Sequence, residues 1–196
     1  MKKIKILYVY GLGGSSHSSK AKYLRQQLPE YQIDCIEYPQ YDANKAYRTL
    51  ENYILKNNID IVVGTSLGGF LTKFLYASHL YRIIVNPAMR GGYDIETLKL
   101  TDEQKKYVPS YKEYQNVFNV FGDKSQLKFI KNRTYLYYAD NDQYFGKYHY
   151  EKLTSEISSN DYVIMKNAEH YVSKNDLDNY IIPKIKEIAE KITNKN

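Results

Sequence analysis

The chain has 196 residues, which suits one domain, because a chain of this length can bury a full core but is at the low end for two. Its formal net charge is +6, yet lysines and glutamates are mixed along it, so it has no compact basic stripe of the kind that follows nucleic-acid phosphates. The single cysteine, Cys35, cannot form an intramolecular disulfide, and no apolar run is long enough for a membrane span or a secretory signal. We therefore expect a cytoplasmic protein with no nucleic-acid and no membrane partner.

Short β-branched and aromatic runs alternate with longer segments of helical period, which is the pattern of βαβ units on a parallel sheet. The predicted strands are residues 4–10, 32–38, 59–64, 82–86, 134–139 and 162–165. The predicted helices are residues 18–28, 42–57, 66–78, 148–158 and 177–192. Several strands are apolar along their whole length, as expected where helices cover both faces of a sheet. Asp42 is predicted to cap the second helix.

The alternation stops between residues 91 and 133, where the sequence becomes rich in Tyr, Lys and Gln. A connection of this length in a compact domain is often a lid or a binding loop. The alternative is a helical excursion that only covers the sheet.

A G-x-S-x-G motif follows the third predicted strand and opens the third predicted helix, at residues 64–68. The turn between such a strand and helix is so sharp that Gly64 and Gly68, on either side of the serine, must lack side chains. It presents the Ser66 hydroxyl above the carboxyl end of the sheet, beside helix N–H groups that can bind a developing oxyanion. The motif predicts an α/β-hydrolase fold with Ser66 as nucleophile. The alternative is a glycine-rich turn that binds a phosphate or only packs tightly.

An α/β-hydrolase needs a second backbone N–H donor, from the loop after a strand beside the nucleophile strand. The sequence Tyr-Gly-Leu-Gly-Gly-Ser-Ser at residues 10–16 occupies that place. The N–H groups of Leu12 and Leu67 are therefore the predicted oxyanion hole. A dinucleotide-binding loop is the competing interpretation, but the spacing of the glycines is not G-x-G-x-x-G. Such a loop also needs an acidic residue that closes the second strand, and apart from Glu37 no residue at the expected distance is acidic.

A serine nucleophile needs a base that takes its proton and a carboxylate that orients the base. His170 is the predicted base, because it alone of the four histidines follows the final predicted strand; a surface histidine is the alternative. The acid is expected after the strand 134–139, where Asp140 and Asp142 are both candidates. Asp142 is preferred because it stands three residues past the strand end and has room to reach His170, whereas Asp140 can cap the turn. The other histidines are His17, His79 and His149.

Four blocks of the sequence resemble the small bacterial esterases of the YqiA/YcfP-like branch of the α/β-hydrolase superfamily. The blocks are Tyr-Gly-Leu at 10–12 with Ser15 and Ser-Lys-Ala at 19–21, the turn at 64–70, Asn-Pro-Ala-Met-Arg at 86–90, and Asp142 with Glu-His-Tyr at 169–171. Two positions depart from the pattern. Tyr10 stands where these esterases have a histidine, and Ala139 replaces a glycine that often closes the strand before the acid.

The resemblance implies hydrolysis of short acyl esters or thioesters, with a small-molecule substrate and without a metal or an organic cofactor. We predict a single three-layer α/β-hydrolase domain over residues 1–196. It should contain a minimal, mostly parallel sheet of about six strands in the order 2-1-3-4-5-6, helices on both faces, and a lid-like segment at 91–133. Gly11, Arg90 and Tyr111 are the predicted substrate-binding residues, with Tyr107 and Tyr114 beside Tyr111 in a roof over the acyl pocket. A hydrolase fold that binds a ligand or a protein without catalysis is the second hypothesis.

Overall fold

The computed structural model describes residues 3–77, 79–88, 133–144 and 161–194. Their strands form one six-stranded sheet in the order β2-β1-β3-β4-β5-β6, in which all neighbouring strands are parallel. The strands are β1 (Lys5–Val9), β2 (Gln32–Asp34), β3 (Ile61–Thr65), β4 (Tyr81–Val85), β5 (Thr134–Ala139) and β6 (Tyr162–Met165). The predicted strand number and order are confirmed, and these strands are wholly rather than mostly parallel.

The described helices are α1 (Ser19–Gln27), α2 (Ala43–Asn57), α3 (Leu67–Phe74), α4 (Lys174–Asp176) and α5 (Ile182–Thr193), with a π-helical turn (Leu177–Ile181) between the last two. Right-handed crossovers place α1 on one face and α2 and α3 on the other, because the chain steps from β1 to β2 in one direction and from β2 to β3 in the other. The Tyr23 hydroxyl of α1 donates to Asp178 of the π-helical turn at 2.8 Å. On the other face, the N–H of Tyr76 donates to Glu51 of α2 at 3.1 Å. Helices therefore cover both faces, as predicted.

The core lies along the three central strands, β1, β3 and β4. All five residues of β3 and all five of β4 are buried, and Ile6, Ile61 and Ile83 are fully shielded from solvent. Burying each such side chain contributes roughly 1.5–3 kcal/mol to folding. This rigid centre carries the loops at the carboxyl ends of the strands.

The third predicted helix ends earlier than residue 78. It stops at Phe74, and Leu75 is extended, with ψ of 127°. The reason is the buried guanidinium of Arg82 on β4, which donates to the carbonyl oxygens of Leu75 and Ala77. Because Arg82 satisfies these carbonyls, the chain does not need helical hydrogen bonds there.

The second predicted strand is also shorter than expected, since β2 ends at Asp34 and not at residue 38. Residues 35–40 instead run along the loop that follows β1. The Tyr38 hydroxyl donates to the carbonyl oxygen of Tyr10 at 2.6 Å, and the two rings stack with centroids 4.7 Å apart. The apolar alternation in this segment therefore reflects packing against a loop.

The C-terminal helical region begins three residues before the predicted start at 177. Ser173 and Asp176 form a capping box, in which each side chain accepts a hydrogen bond from the other's backbone N–H. Pro183 has no N–H for a regular helical bond, and the preceding Ile182 donates to Leu177, five residues back. By contrast, the Asp42 cap of α2 is confirmed, because its side chain accepts from the N–H of Lys45.

Several predictions fall outside the described residues. They are the helix at 148–158 and the lid-like segment 91–133, of which only Arg133 is described. The predicted substrate-binding residue Arg90 and the tyrosines Tyr107, Tyr111 and Tyr114 also lie outside the described residues. Among the residues that are described, no helix is both long and apolar enough to cross a membrane.

Candidate active site

The carboxyl ends of β1 and β3 form the switch point of the sheet, where the helices that follow leave on opposite faces and open a crevice. The loop after β1 and Ser66 after β3 meet there. A Cβ atom on Gly11 would lie 3.0 Å from Ser66 Cβ and 3.5 Å from its Oγ. Gly11, a predicted substrate-binding residue, therefore lies directly against the Ser66 side chain.

Ser66 occupies a strained backbone conformation, with φ of 54° and ψ of −119°. A conformation of this kind costs on the order of 1–3 kcal/mol and persists only where neighbours hold it. The Ser66 N–H donates to the carbonyl of Val85 at 3.0 Å, and its carbonyl accepts from the N–H groups of Ala88 and Phe70 at 3.0 and 2.9 Å. The end of β4 and the loop after it therefore fix the serine turn.

Gly64 and Gly68 allow this turn by close packing. A Cβ on Gly64 would collide with Thr72 Oγ1 and the carbonyl of Gly68. One on Gly68 would collide with the carbonyl oxygens of Val9 and Tyr10. Gly64 thus lets α3 pack closely on β3, and Gly68 lets the start of α3 pack directly against the end of β1, beside the loop that β1 carries.

Three predicted catalytic side chains form one continuous hydrogen-bonded chain. Ser66 Oγ lies 3.0 Å from Nε2 of His170, and Nδ1 of His170 lies 2.8 Å from Oδ2 of Asp142. His170 and Asp142 are 7% and 6% exposed, so water does not compete strongly for these bonds. A proton on Nδ1 that is donated to Asp142 leaves Nε2 as the acceptor for the serine hydroxyl.

Of the two aspartates that the sequence leaves open, the structure brings Asp142 to the histidine. The N–H groups of Asp140 and Asn141 donate to Met165 and Ala168, so these residues extend the pairing of β5 with β6 and the loop after it. Asp142 follows them and turns inward, and its Oδ1 accepts from the N–H of Tyr144 at 2.9 Å. The Asp140 carboxylate lies instead 3.9 Å from the Lys166 ammonium.

Asn86, at the end of β4, links the end of β5 to the loop that carries His170. Its side chain is fully buried, its φ is 42°, and its Nδ2 donates to the carbonyls of Glu169 and His170 at 3.1 and 2.9 Å. Its Oδ1 accepts from the N–H of Ala139 at 2.7 Å. The sequence singles out Asn86 only within the Asn-Pro-Ala-Met-Arg block and gives it no role. Its position is the signal that could have indicated a role, because Asn86 is a polar residue directly after a strand that is apolar enough to be buried.

Aromatic rings flank the imidazole of His170. The ring of Tyr144 meets it edge-on at 5.0 Å between centroids, and the ring of Tyr171 at 5.6 Å. The two phenol oxygens are 3.5 Å apart, and this hydrogen bond, with burial, raises the pKa of Tyr171 to about 12. The Gln143 side chain accepts from the His170 N–H at 3.3 Å, so His170 is supported on its backbone as well.

The two predicted oxyanion donors lie on backbone segments that meet at Ser66. Leu67 is the first residue of α3, where N–H groups have no partner within the helix. Leu12 lies in a tight turn that a bond from the Gly14 N–H to the Gly11 carbonyl closes at 3.1 Å. Within the described part of the chain, neither the Leu12 nor the Leu67 N–H donates a hydrogen bond to another residue.

The described residues contain no group of three or more histidine, cysteine, aspartate or glutamate side chains that could hold a metal ion. The dinucleotide interpretation of the loop after β1 also loses its acidic partner. Both carboxylate oxygens of Glu37 are bound by that loop, to the Tyr10 hydroxyl and the Ser16 N–H, at 2.8 and 2.7 Å. Chemically, the site joins a hydroxyl, an acceptor nitrogen and a buried carboxylate, which is the arrangement that activates a nucleophile.

Solved structures share this fold over nearly the whole chain. The α/β hydrolase domain-containing protein 10 from mouse has a TM-score of 0.65 at 15% identity, covering 97% of this chain and 91% of its own. An α/β hydrolase enzyme from the metagenome of lagoon sediments at Mar Chica, Morocco, has a TM-score of 0.62 at 14% identity, with 97% and 92% covered. An esterase from a marine microorganism has a TM-score of 0.60 at 13% identity, with 95% of each chain covered.

These similarities confirm the predicted α/β-hydrolase fold. The model of a protein family matches residues 5–170, a span that includes the serine turn, Asn86, Asp142 and His170. The match agrees with the expected relationship to YqiA/YcfP-like proteins. The chain belongs to the Uncharacterised protein family UPF0227.

Proposed function

We propose that the protein is a serine hydrolase that cleaves carboxylic esters or thioesters of small molecules. Ser66 is the nucleophile, His170 the general base and Asp142 the carboxylate that orients it. The observation that carries the proposal is the chain of two hydrogen bonds, 3.0 and 2.8 Å long, from Ser66 through His170 to Asp142. It lies at the switch point of the sheet, where ligands of such folds bind.

The reaction has two halves. Ser66 Oγ attacks the acyl carbonyl carbon while its proton passes to Nε2 of His170, and Asp142 stabilises the imidazolium. The bond from the acyl carbon to the leaving oxygen or sulfur then breaks, and His170 returns the proton to that atom. Water attacks the acyl-Ser66 ester with His170 again as base, which releases the carboxylic acid and restores the serine.

The tetrahedral intermediates carry a negative oxygen, for which the N–H groups of Leu12 and Leu67 are the proposed donors. Fixed dipoles of this kind act without reorganising during the reaction, and one donor contributes on the order of 100- to 1000-fold in rate. The place of Gly11 against Ser66 supports Leu12, the next residue, as one of them.

The substrate assignment rests on the family resemblance and on the shared fold. The marine esterase has this fold, which supports acyl ester chemistry for the site. Gly11, Arg90 and Tyr111 remain the proposed contacts to the rest of the substrate. We also propose that the protein is a single domain and acts in the cytoplasm. The chemistry needs neither a metal ion nor an organic cofactor, because the serine, the base and the backbone donors supply every proton and charge it uses.

Hydrolysis of p-nitrophenyl acetate, butyrate and octanoate by the purified protein tests the proposal. We expect turnover by the wild type, and a loss of about 10⁴-fold or more in kcat for Ser66→Ala and for His170→Ala. His79→Ala is the matched control, because its exposed imidazole binds the carbonyl of Ile59 at the opposite end of β3. Ser66→Ala protein that keeps most of the wild-type rate overturns the assignment. A wild type inactive on all three esters favours a ligand-binding protein.

A further inference from the structure

The loop after β1, residues 11–16, is held in place by side chains of another segment, residues 37–40. We call them the oxyanion loop and the support segment. Gln40 makes two bonds with the middle of the loop. Its Oε1 accepts from the N–H of Gly13 at 2.7 Å, and its Nε2 donates to the carbonyl of Gly14 at 2.9 Å. One carboxamide thus fixes two successive residues of the turn, much as a neighbouring peptide group would.

Glu37 holds the residue before this loop and the last residue of the loop. Its Oε2 accepts from the Tyr10 hydroxyl at 2.8 Å, and its Oε1 accepts from the N–H of Ser16 at 2.7 Å. Bonds from Ser16 and Tyr10 lower the pKa of Glu37, so the side chain stays an ionised acceptor. Burial and the bond to Glu37 raise the pKa of Tyr10, so the phenol stays a donor.

The oxyanion loop needs such support because of its composition. Three of its six residues are glycines, which give the backbone many conformations of similar energy. Gly13 has φ of 75°, as the third residue of a type II turn requires. An oxyanion donor, by contrast, must be held to within about 0.5 Å of its working position. Hydrogen bonds from side chains outside the loop can restrict its glycine-rich backbone to the one conformation that a donor needs.

We propose that Gln40 and Glu37 are positioning residues that hold the oxyanion loop so that the Leu12 N–H meets the developing oxyanion. The inference rests on the proposed function and deepens it. Gln40 bonds the two residues that follow Leu12, and Glu37 bonds Tyr10 and Ser16 on either side of them. Neither side chain belongs to the chain of Ser66, His170 and Asp142. They therefore act on charge stabilisation and leave proton transfer unchanged.

The experiment compares Gln40→Ala and Gln40→Glu with the wild type. Gln40→Ala removes both bonds, whereas Gln40→Glu keeps the acceptor for Gly13 and loses the donor to Gly14. Gln32→Ala is the matched control, since Gln32 is an exposed glutamine whose amide donates to the Asp34 carboxylate. Steady-state kinetics on p-nitrophenyl butyrate, labelling rates with a fluorophosphonate and melting temperatures are measured for all four proteins.

We expect Gln40→Ala to lower kcat by about 10- to 100-fold with little change in KM, because an oxyanion bond acts in the transition state. Fluorophosphonate labelling should slow by a similar factor, since the phosphoryl oxygen occupies the same hole. Gln40→Glu should fall between Gln40→Ala and the wild type. The pH at half-maximal kcat/KM should not move, because the proton-transfer groups are untouched.

A Gln40→Ala protein with the kcat of Gln32→Ala overturns the inference. So does a fall in kcat with a shifted pH midpoint or a large drop in melting temperature, since either indicates general structural damage. Full activity in Gln40→Ala with none in Ser66→Ala overturns the inference alone. A wild type that neither turns over esters nor reacts with the probe overturns the proposed function, and the inference with it.

Discussion

The two sides of the candidate site are held in different ways. On the acid and base side, the fully buried amide of Asn86 joins the ends of β4 and β5 to the loop that carries His170. On the oxyanion side, the loop after β1 is held by Glu37, which is exposed, and by Gln40, which is half-buried.

The two sides differ in the free energy that is needed to break their hydrogen bonds. A buried hydrogen bond that loses one partner leaves the other unsatisfied, at a cost of about 1–3 kcal/mol. At the surface, water replaces the lost partner and the cost is smaller. Proton transfer needs one fixed geometry in both halves of the proposed reaction. In the proposed mechanism, the buried attachment therefore holds the proton-transfer groups, and the attachment that costs less to break holds the oxyanion loop.

The largest expected effect on the buried side comes from the carboxylate itself. Asp142→Asn should lower kcat by about 10³- to 10⁴-fold, because the amide cannot hold the imidazole in the tautomer that accepts the serine proton. Asp140→Asn is the matched control and should change kcat by less than about threefold, since an exposed pair such as that with Lys166 contributes little. Kinetics on one ester compares the two. Equal losses in both variants would contradict the assignment of the acid.

Asn86→Asp tests the attachment of the base loop and should have the next largest effect. The carboxylate keeps the size of the side chain but loses the donor to the carbonyls of Glu169 and His170. We expect kcat to fall by about tenfold or more, because a displacement of about 1 Å at a catalytic group can cost a hundredfold. Kinetics and thermal unfolding measure the effect.

Asn58→Asp is the control for this variant, since Asn58 shares the positive φ, at 52°, but is exposed at the end of α2. It should keep the wild-type rate and nearly the wild-type melting temperature. Asn86→Asp protein that behaves like this control would show that the base loop does not depend on Asn86.

The smallest expected effect lies on the exposed side, at Glu37. Its pKa is lowered in the folded protein, so its contribution is present above the pKa of the unfolded state and is lost as the pH falls through the folded value. Glu37→Gln should therefore lower both kcat and the melting temperature modestly. The ratio of the kcat values and the difference in melting temperature should stay constant between about pH 5 and 9, where the carboxylate is ionised. The difference in melting temperature should shrink as the pH falls below the ordinary pKa of glutamate, about 4.3, and through the lower pKa of Glu37 in the folded protein. A difference that grows on acidification would contradict the sign of this shift.

The sequence predicts the strands, their order, the serine turn and the choice of His170, because these depend on local patterns and on chain order. It cannot decide between Asp140 and Asp142, since the answer depends on how Asp140 and Asn141 pair with β6 and the loop after it. The role of Asn86 depends on hydrogen bonds with Ala139 and His170, which lie 53 and 84 positions later in the chain. The end of β2 is missed for a similar reason, because the residues after it pack on a loop.

The central claim is that the hydroxyl of Ser66 is activated by His170. Its most direct test is to treat the wild type and Ser66→Ala with a fluorophosphonate and to map the modified peptide by mass spectrometry. The account predicts one adduct, on Ser66, that is absent from the variant. A wild type that stays unlabelled, or an adduct that persists in Ser66→Ala, would contradict it.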